Sequence, residues 1–230
     1  MDRGKGSGSF LLSVVIPVLN DADATERLLG QIAPDPQVEV VIVDGGLDVA
    51  LDGVAGTRPG TRVIRTSPGR ARQMNAGARE ATGKWLLFLH ADSELPAGWR
   101  EAMAAVPNDA IGGWFEFALD DGAWQARVVE ALVRWRVRVM RLPYGDQGLF
   151  VRRAVFDEMG GFADLPLLED VEFVRRLGAA GRVAEVALPL RTSARRWRRD
   201  GWFRRSARNS VIVALYLSGV SAARLARWYT

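Results

Sequence analysis

Residues 12–18, LSVVIPV, and residues 38–46, VEVVIVDGG, are the stretches that decide the fold. Each contains a short, continuous run of apolar and β-branched residues, which is typical of a strand buried on both faces of a parallel sheet. Between the two runs, Asn20 and Asp21 are good helix N-caps and predict a helix to about Ile32. These stretches therefore predict a β-α-β unit.

The same alternation continues along the chain. Residues 62–66 predict a third strand, residues 70–81 a helix and residues 85–89 a fourth strand. Alternating strands and helices predict a single α/β domain with a doubly wound, mostly parallel sheet flanked by helices. The other main predicted elements are strands at 114–119 and 148–152, a helix over 123–141 and a helix starting near Glu169.

The composition limits the classes of protein to which the chain can belong. The chain has 230 residues, of which 48% are hydrophobic, so it is long enough for one globular domain with a sizeable core. Its formal net charge of +4 suits anionic partners such as nucleotide phosphates, nucleic acid or an anionic membrane. It has no cysteine, which excludes disulfides, zinc–thiolate sites and thiol catalysis.

The N-terminus and the apolar stretches bear on localisation. An apolar run over residues 10–19 follows Arg3 and Lys5, which leaves a signal peptide as an alternative to a core strand. The longest apolar stretches fall short of the ~20 residues that a membrane-spanning helix needs. We therefore expect a cytoplasmic protein without a transmembrane segment.

Polar clusters follow the predicted strands. They are Asn20, residues 44–48, residues 70–75 and residues 90–92. Ligands of open parallel sheets bind beyond the carboxyl ends of the strands. The clusters therefore predict a ligand site at that edge of the sheet.

Asp92 and His90 are candidates for metal chemistry. A carboxylate at a strand end can hold a hard divalent cation that bridges two phosphates, although a turn or cap aspartate is the alternative. His90 is the only histidine. It is either a packed residue or a metal ligand beside Asp92.

Three further segments have both a functional and a purely structural interpretation. Asp44, followed by two glycines, can bind a base or ribose or form a plain β-turn. Residues 67–75, SPGRARQMN, can bind an anion at a helix start or form a solvated basic helix end. Asp170 can act as a general base or complement the helix dipole.

The long predicted helix and the segment after it are rich in arginine. In the helix, Arg127, Arg134, Arg138 and Arg141 share one face. A neighbouring stripe, which we interpret as core or acceptor wall, is formed by Trp124, Val128, Ala131, Trp135 and Val139. Residues 191–208 contain eight arginines with interleaved aromatics, a pattern also typical of nucleic-acid or membrane surfaces.

The order of these motifs resembles family 2 glycosyltransferases of the GT-A fold, over about residues 11–200. The segments are VVIPVLND, VEVVIVDGG, GRARQMNAGA, LLFLHADSELP, YGDQGLFVRRAVFDEMGGF, LLEDVEFVRRL and SARRW. Three of them, GRARQMN, HAD and YGDQG, are most similar to a bacterial subgroup labelled arsenosugar-biosynthesis or selenodomain-associated transferases.

The resemblance implies an inverting transferase that moves a sugar from a nucleotide diphosphate sugar to a hydroxyl acceptor, either a small molecule or lipid-linked. It implies Asp170 as the catalytic base and a divalent metal, Mn²⁺ or Mg²⁺, at Asp92 with His90. Nucleotide-binding residues would be Pro17, Asn20, Asp44, Gly46, Arg70, Gln73, Asn75 and Ala91. Residues at the acceptor or diphosphate would be Asp146, Gln147, Glu169, Arg195, Arg196 and Trp197.

The same resemblance implies a domain plan. A flexible tail, residues 1–9, precedes a GT-A domain over 10–205, with a nucleotide-binding half at about 10–95 and an acceptor half at about 110–205. A C-terminal amphipathic helix, residues 206–230, is expected to follow. Its apolar run over 211–217, beside the arginines, suits peripheral contact with the inner face of the membrane.

Two departures from the family pattern affect the metal and nucleotide sites. His90 replaces the first carboxylate of the D-x-D motif, and an imidazole ligand favours Mn²⁺ over Mg²⁺. The serine of the D-G-S motif is absent, because Gly46 and Leu47 occupy that region.

Two other classes of protein remain as alternatives. A nucleotidyltransferase should have a glycine-rich basic loop after its first strand, where this chain has VLND at residues 18–21. A nonenzymatic module that binds nucleic acid or a membrane would also explain the arginines. We prefer the glycosyltransferase and expect no nucleic-acid partner.

Overall fold

The computed structural model of the chain describes residues 11–46, 50–56 and 58–229. The tail predicted at residues 1–9 and Asp48 lie outside the described residues. Among the helices of the described part, none is both long enough and apolar enough to pass through a lipid bilayer.

The first half of the chain forms the predicted β-α-β units. Strand β1 lies between β2 and the fourth strand, β4, and pairs with both in parallel. The register aligns Val18 at the end of β1 with Asp44 at the end of β2. The elements are β1 (Leu12–Val18), α1 (Ala22–Gln31), β2 (Val38–Asp44), α2 (Ala50–Gly56), β3 (Thr61–Arg65), α3 (Arg70–Glu80) and β4 (Trp85–Phe88).

The second half completes the sheet and adds helices on both of its faces. A single turn of 3-10 helix, Gly145–Gln147, precedes strand β7. The elements are β5 (Ser93–Glu94), α4 (Trp99–Ala104), β6 (Gly112–Leu119), α5 (Trp124–Met140), β7 (Leu149–Arg152), α6 (Arg153–Glu158), α7 (Glu169–Ala180), β8 (Val183–Thr192), α8 (Arg195–Asp200), α9 (Trp202–Leu217) and α10 (Ala222–Tyr229).

The described strands form one sheet in the order β3-β2-β1-β4-β7-β6-β8-β5. Pairing is parallel at β3-β2, β2-β1, β1-β4 and β6-β8, and antiparallel at the other contacts. The predicted mostly parallel, doubly wound α/β domain is therefore confirmed. Strands β5 and β8 were not predicted: β5 has only two residues, and β8 contains Pro189 and several partly exposed positions.

Alternate residues of the buried strands pack on opposite faces of the sheet, as the period of two in a strand requires. Val14 and Ile16 join one core with the buried residues of α1 and α4. Val15 joins the other core with α3, α7 and the C-terminal helices, to which α9 contributes Ile212 and α10 contributes Leu225. The C-terminal helices are thus packed parts of the domain.

The structure differs from two expectations for the helices. Residues 206–230 do not form one helix: α9 begins at Trp202 and ends at Leu217, and α10 follows a turn in which Gly219 has φ 101°. The expected division of the chain at residue 205 therefore falls inside α9. The division into nucleotide-binding and acceptor halves stays a prediction.

The apolar stripe of α5 is not core. Trp124 is 65% exposed and Trp135 is 62% exposed, and the other stripe residues also face solvent. The face that packs on the sheet contains Ala126, Val129 and Val137 instead. Helix α5 has two overlapping apolar faces, and helical periodicity alone cannot tell which of them is buried.

Candidate active site

A cleft lies at the edge of the sheet where β4 ends and α7 begins. It gathers seven of the predicted site residues, contributed by separate parts of the chain. These seven residues are Arg70, His90, Asp92, Asp146, Asp170, Arg196 and Trp197. These predicted residues therefore line one cavity at this edge of the sheet, and its role as a ligand site stays a prediction.

Asp170 is a buried carboxylate held by the main chain. Oδ2 accepts a hydrogen bond from the Gly145 amide at 2.6 Å, and Oδ1 accepts one from the Val171 amide at 2.8 Å. A Cβ at Gly145 would lie 3.2 Å from both Asp170 Oδ2 and His90 Nε2. The absence of a side chain there lets the backbone approach closely, and it orients the carboxylate.

Asp170 lies in the first turn of α7, next to Glu169, which forms an ion pair with Arg70. Glu169 Oε1 is 2.7 Å from Arg70 Nε, and Glu169 is buried. Burial raises the pKa of Glu169, the nearby Arg70 charge opposes this, and the Asp170 charge adds to it. Glu169 does not line the cleft, and its contact with Arg70 positions that guanidinium, which does.

His90 is a neutral imidazole at pH 7. Burial, together with the nearby Arg70 charge, lowers its pKa to about 4 despite the opposing effect of Asp92. A neutral imidazole keeps a lone pair that can accept a hydrogen bond or bind a metal.

The donor set for a metal is small. The described residues contain no cluster of three or more His, Cys, Asp or Glu side chains arranged to hold an ion. Asp92 and His90 do line the same cleft. Such a pair fits a cation that takes its remaining ligands from a diphosphate and water, as hard divalent cations often do.

The end of β2 carries the predicted nucleotide contacts Asp44 and Gly46. Asp44 is fully buried, and its Oδ1 accepts a hydrogen bond from the Gly46 amide at 2.8 Å. A Cβ at Gly46 would lie 2.5 Å from Asn20 Oδ1, so the strand ends of β1 and β2 meet here. Asn20 has φ 53°, the left-handed region that asparagine tolerates. These three residues are brought together as predicted.

Gln73 and Asn75 bind the main chain rather than facing the cleft. Gln73 Nε2 donates to the carbonyls of Val18 and Val43, at 2.7 and 2.8 Å. The amide of Asn75 exchanges two hydrogen bonds with the backbone of Phe162. Both amides therefore position other parts of the chain, because Gln73 ties β1 to β2 and Asn75 holds the loop before α7.

Several other predicted residues lie away from the cleft. Pro17 is buried within β1, and Gln147 is buried with its Nε2 donating to the Phe115 carbonyl. Arg195 points to a neighbouring cavity that Ala91 also lines, whereas Arg196 lines the cleft. Consecutive residues at a helix start point in different directions, which is why Arg195 and Arg196 separate.

The C-terminal helices supply cleft residues that sequence reasoning missed. Asn209 and Arg205 come from α9, and Tyr229 comes from α10. Arg205 is buried and forms an ion pair with Asp200 at 2.7 Å. The one signal in the sequence was a pair of polar residues, Arg205 and Asn209, one helical turn apart on α9.

Asp146 makes stability depend on pH. Burial, reinforced by the charges of Asp170 and Asp92 and opposed by Arg136, raises its pKa to about 6. The folded state therefore holds this proton more tightly than the unfolded state, so stability falls as pH rises from about 4 to about 6. We expect Asp146→Asn to remove this loss. The free energy of unfolding of the variant, relative to the wild type, should therefore be higher at pH 8 than at pH 4 by about 2–3 kcal/mol.

Urea unfolding of the wild type and Asp146→Asn at pH 4 and pH 8 measures this difference. Asp164→Asn, on an exposed carboxylate, is the matched control. Equal pH dependence in the wild type and Asp146→Asn would show that Asp146 ionises without cost in the folded protein.

Solved structures define the class of fold. A mannosyltransferase from Pyrobaculum calidifontis, in complex with GDP-Man and Mn²⁺, matches with TM-score 0.59 and 21% identity, covering 78% of this chain and 56% of that chain. S. aureus TarS 1–349, in complex with UDP-GlcNAc, matches with TM-score 0.60 and 18% identity, covering 80% and 58%. The protein therefore has the fold of the GT-A glycosyltransferases.

Sequence comparison supports the family. Residues 13–110 match the model of Glycosyl transferase family 2. Two relatives, both named PGL/p-HBAD biosynthesis glycosyltransferase and found in Mycobacterium bovis and Mycobacterium tuberculosis, are each 39% identical over 166 residues. The match covers 66% of this chain and spans 63% of the length of these relatives. The findings support a glycosyltransferase of family 2 and favour neither alternative class.

Proposed function

We propose that this chain is an inverting glycosyltransferase that moves a sugar from a nucleotide diphosphate sugar to the hydroxyl of an acceptor. The observation that carries the proposal is Asp170, a buried carboxylate oriented by two main-chain amides in a cleft that also contains Arg70, Asp92 and Arg196. A base beside groups that suit a diphosphate is what displacement at an anomeric carbon requires.

In the proposed reaction, Asp170 accepts the proton of the acceptor hydroxyl as its oxygen attacks the anomeric carbon. The bond between that carbon and the diphosphate oxygen breaks, and the nucleoside diphosphate leaves from the opposite face. Arg70 and Arg196 line the cleft and can take the charge that grows on the diphosphate. Glu169 holds Arg70 in the place where it can do so.

A divalent cation fits the proposed site in part. Asp92 and His90 would hold it, and when bound it would neutralise charge on the leaving diphosphate. The solved mannosyltransferase with a similar fold contains Mn²⁺ together with GDP-Man. Neutral His90, which is the softer of the two ligands, favours Mn²⁺ over Mg²⁺ here.

Donor binding is the direct test of the proposed function. We expect UDP or GDP, or one of their sugars, to raise the thermal unfolding temperature, and Mn²⁺ to increase the effect. A ligand at 100 times its Kd adds about 2.7 kcal/mol, which corresponds to about 5–10 °C for a protein of this size. Matched samples with a chelator are the control. A melting temperature unchanged by every nucleotide and sugar nucleotide would contradict the proposal.

We also propose that the protein works at the inner face of the cytoplasmic membrane. The exposed stripe of α5 includes Trp124, whose ring lies 5.9 Å from that of exposed Phe203 on α9. Arg138 and Arg141 are exposed at the end of the same helix. Interfacial aromatics beside arginines suit an anionic lipid surface.

Flotation with anionic liposomes tests the membrane contact. We expect the wild type to float with anionic vesicles and Trp124→Ser to float less, because the indole would no longer enter the interface. Trp228→Ser removes a similarly exposed tryptophan from α10 and is the matched control. Wild-type protein that stays at the bottom of the gradient would contradict a membrane contact.

The subgroup and the acceptor are also matters of proposal. The arsenosugar-biosynthesis or selenodomain-associated subgroup describes a pathway context that the resemblance implies. The names of the mycobacterial relatives refer to biosynthesis of PGL and p-HBAD. For this chain they support only a proposal of transfer to a hydroxyl acceptor within a biosynthetic pathway.

A further inference from the structure

An apolar groove of about 520 Å³ runs between α5 and α9. Helix α5 contributes Leu132 and Trp135 to its walls, and α9 contributes Val213, Ala214 and Leu217. Its volume falls within the range of binding sites for small molecules, about 300–1,000 Å³. The groove is therefore large enough to hold a ligand rather than a few waters.

The groove adjoins the cleft that contains Asp170. Tyr144, Asp146, Trp197, Asn209 and Val213 line both cavities. Asp146 directly follows Gly145, the residue whose amide binds the Asp170 carboxylate. A molecule lying in the groove therefore has one of its ends next to the cleft of the proposed base.

The junction between the groove and the cleft contains polar side-chain atoms that have no hydrogen-bond partner among the described residues. Asp146 Oδ1 and Asn209 Oδ1 are buried there, and neither accepts a hydrogen bond within the described residues. Buried acceptors without donors are costly, so a rotation that turns either side chain toward the cavity and a ligand hydroxyl would be favoured. This place suits the polar head of a ligand.

The wall that α5 contributes to the groove is partly exposed to solvent. Leu132 is 54% exposed and Met140 is 48% exposed, and both line the groove beside exposed Trp135. Large apolar side chains that reach solvent next to a cavity are typical of a binding surface. The groove therefore has a solvent-exposed apolar wall as well as the polar junction.

We propose that this groove binds the apolar chain of an amphipathic acceptor whose hydroxyl lies at the junction, next to Asp170. The inference rests on the glycosyltransferase function proposed above and specifies its acceptor class: a molecule with a hydroxyl head and a long apolar tail. The head reaches the base through the junction, and the tail lies between α5 and α9.

Alkyl glucosides of increasing chain length are the probe. Calorimetric titration uses n-hexyl, n-octyl and n-decyl β-glucoside below their micelle concentrations. Burying each added methylene is expected to raise the affinity of the wild type roughly two- to fourfold. Ala214→Trp fills the groove and is expected to abolish this dependence, whereas Ala207→Trp, exposed on α9 and outside the groove, keeps it.

A second variant guards against misfolding. Leu132→Asp places a charge on the groove wall at an exposed position, and it is expected to weaken n-decyl glucoside binding at least about tenfold without changing the circular dichroism spectrum. Affinity independent of chain length, or the same in Ala214→Trp as in the wild type, would overturn the proposal. A groove that is covered by a second copy of the chain would also overturn it. In that case Ala214→Trp would change the sedimentation of the protein but not its binding of the glucosides.

The two proposals fail separately. If UDP or GDP binds with Mn²⁺ while chain length has no effect, the acceptor groove is wrong and the transferase remains. If no nucleotide binds, the transferase is wrong, whatever the glucosides do.

Discussion

Asp170→Asn is expected to lower the rate of sugar transfer by about 10²–10⁴-fold, the usual contribution of a general base. The substitution keeps the shape of the side chain but removes the group that accepts the hydroxyl proton. Nucleotide affinity is expected to change by less than about twofold, because the proposed base would contact the acceptor rather than the donor. Turnover of the donor that the thermal measurement identifies, read as release of nucleoside diphosphate, checks the rate.

The structure sets the controls for this variant. The Asp170 carboxylate accepts from both Gly145 and Val171, and an amide has only one oxygen, so one of these contacts is lost. A stability loss of about 1–3 kcal/mol is therefore expected, and assays must be run below the melting temperature of the variant. Asp109→Asn, on an exposed ion pair, is the matched surface control. Wild-type turnover in Asp170→Asn would rule out Asp170 as the base.

Asp92→Ala is expected to act on binding instead of chemistry. Removing the only carboxylate of the proposed metal pair should weaken Mn²⁺-dependent nucleotide binding by at least about tenfold, the loss of roughly 1.4 kcal/mol. Binding in the presence of a chelator should hardly change. Calorimetric titration of UDP or GDP with Mn²⁺ and with chelator measures both quantities.

His90→Ala separates the two proposed ligands. If the imidazole binds the cation, this variant also loses Mn²⁺-dependent affinity, and its residual preference moves toward Mg²⁺ because only hard oxygen ligands remain. A metal effect that survives unchanged in Asp92→Ala would show that Asp92 is not a ligand of the cation.

The sequence predicted the strands best where every residue of the strand is buried. The runs of β1 and β2 are buried throughout, so both the strand type and the parallel sheet followed from them. The sequence did not predict β8, because this strand contains Pro189 and several partly exposed positions. A strand that is covered unevenly has neither a continuous apolar run nor a clean alternation.

The predicted site residues also differ in how far the local sequence determines their surroundings. Asp92, Asp146 and Asp170 are brought to one cleft because each follows a strand or begins a helix at the same edge of the sheet. Gln73 and Asn75 were expected at the nucleotide, which stays a prediction, and their amides bind backbone carbonyls and amides of distant segments. A sequence shows that an amide is present, but the neighbouring strand or loop that it binds comes from a distant part of the chain.

The sequence by itself determined the β-α-β order, the edge of the sheet at which the candidate cleft lies and the identity of most charged groups there. Those properties follow from local apolar runs and from the rule that parallel strands end at one edge. Only the tertiary structure decided which face of α5 is buried, that α9 and α10 complete the cleft, and that an apolar groove leads to it. Periodicity tells which residues share a face, whereas the partner that covers a face is set by packing between segments far apart in the chain.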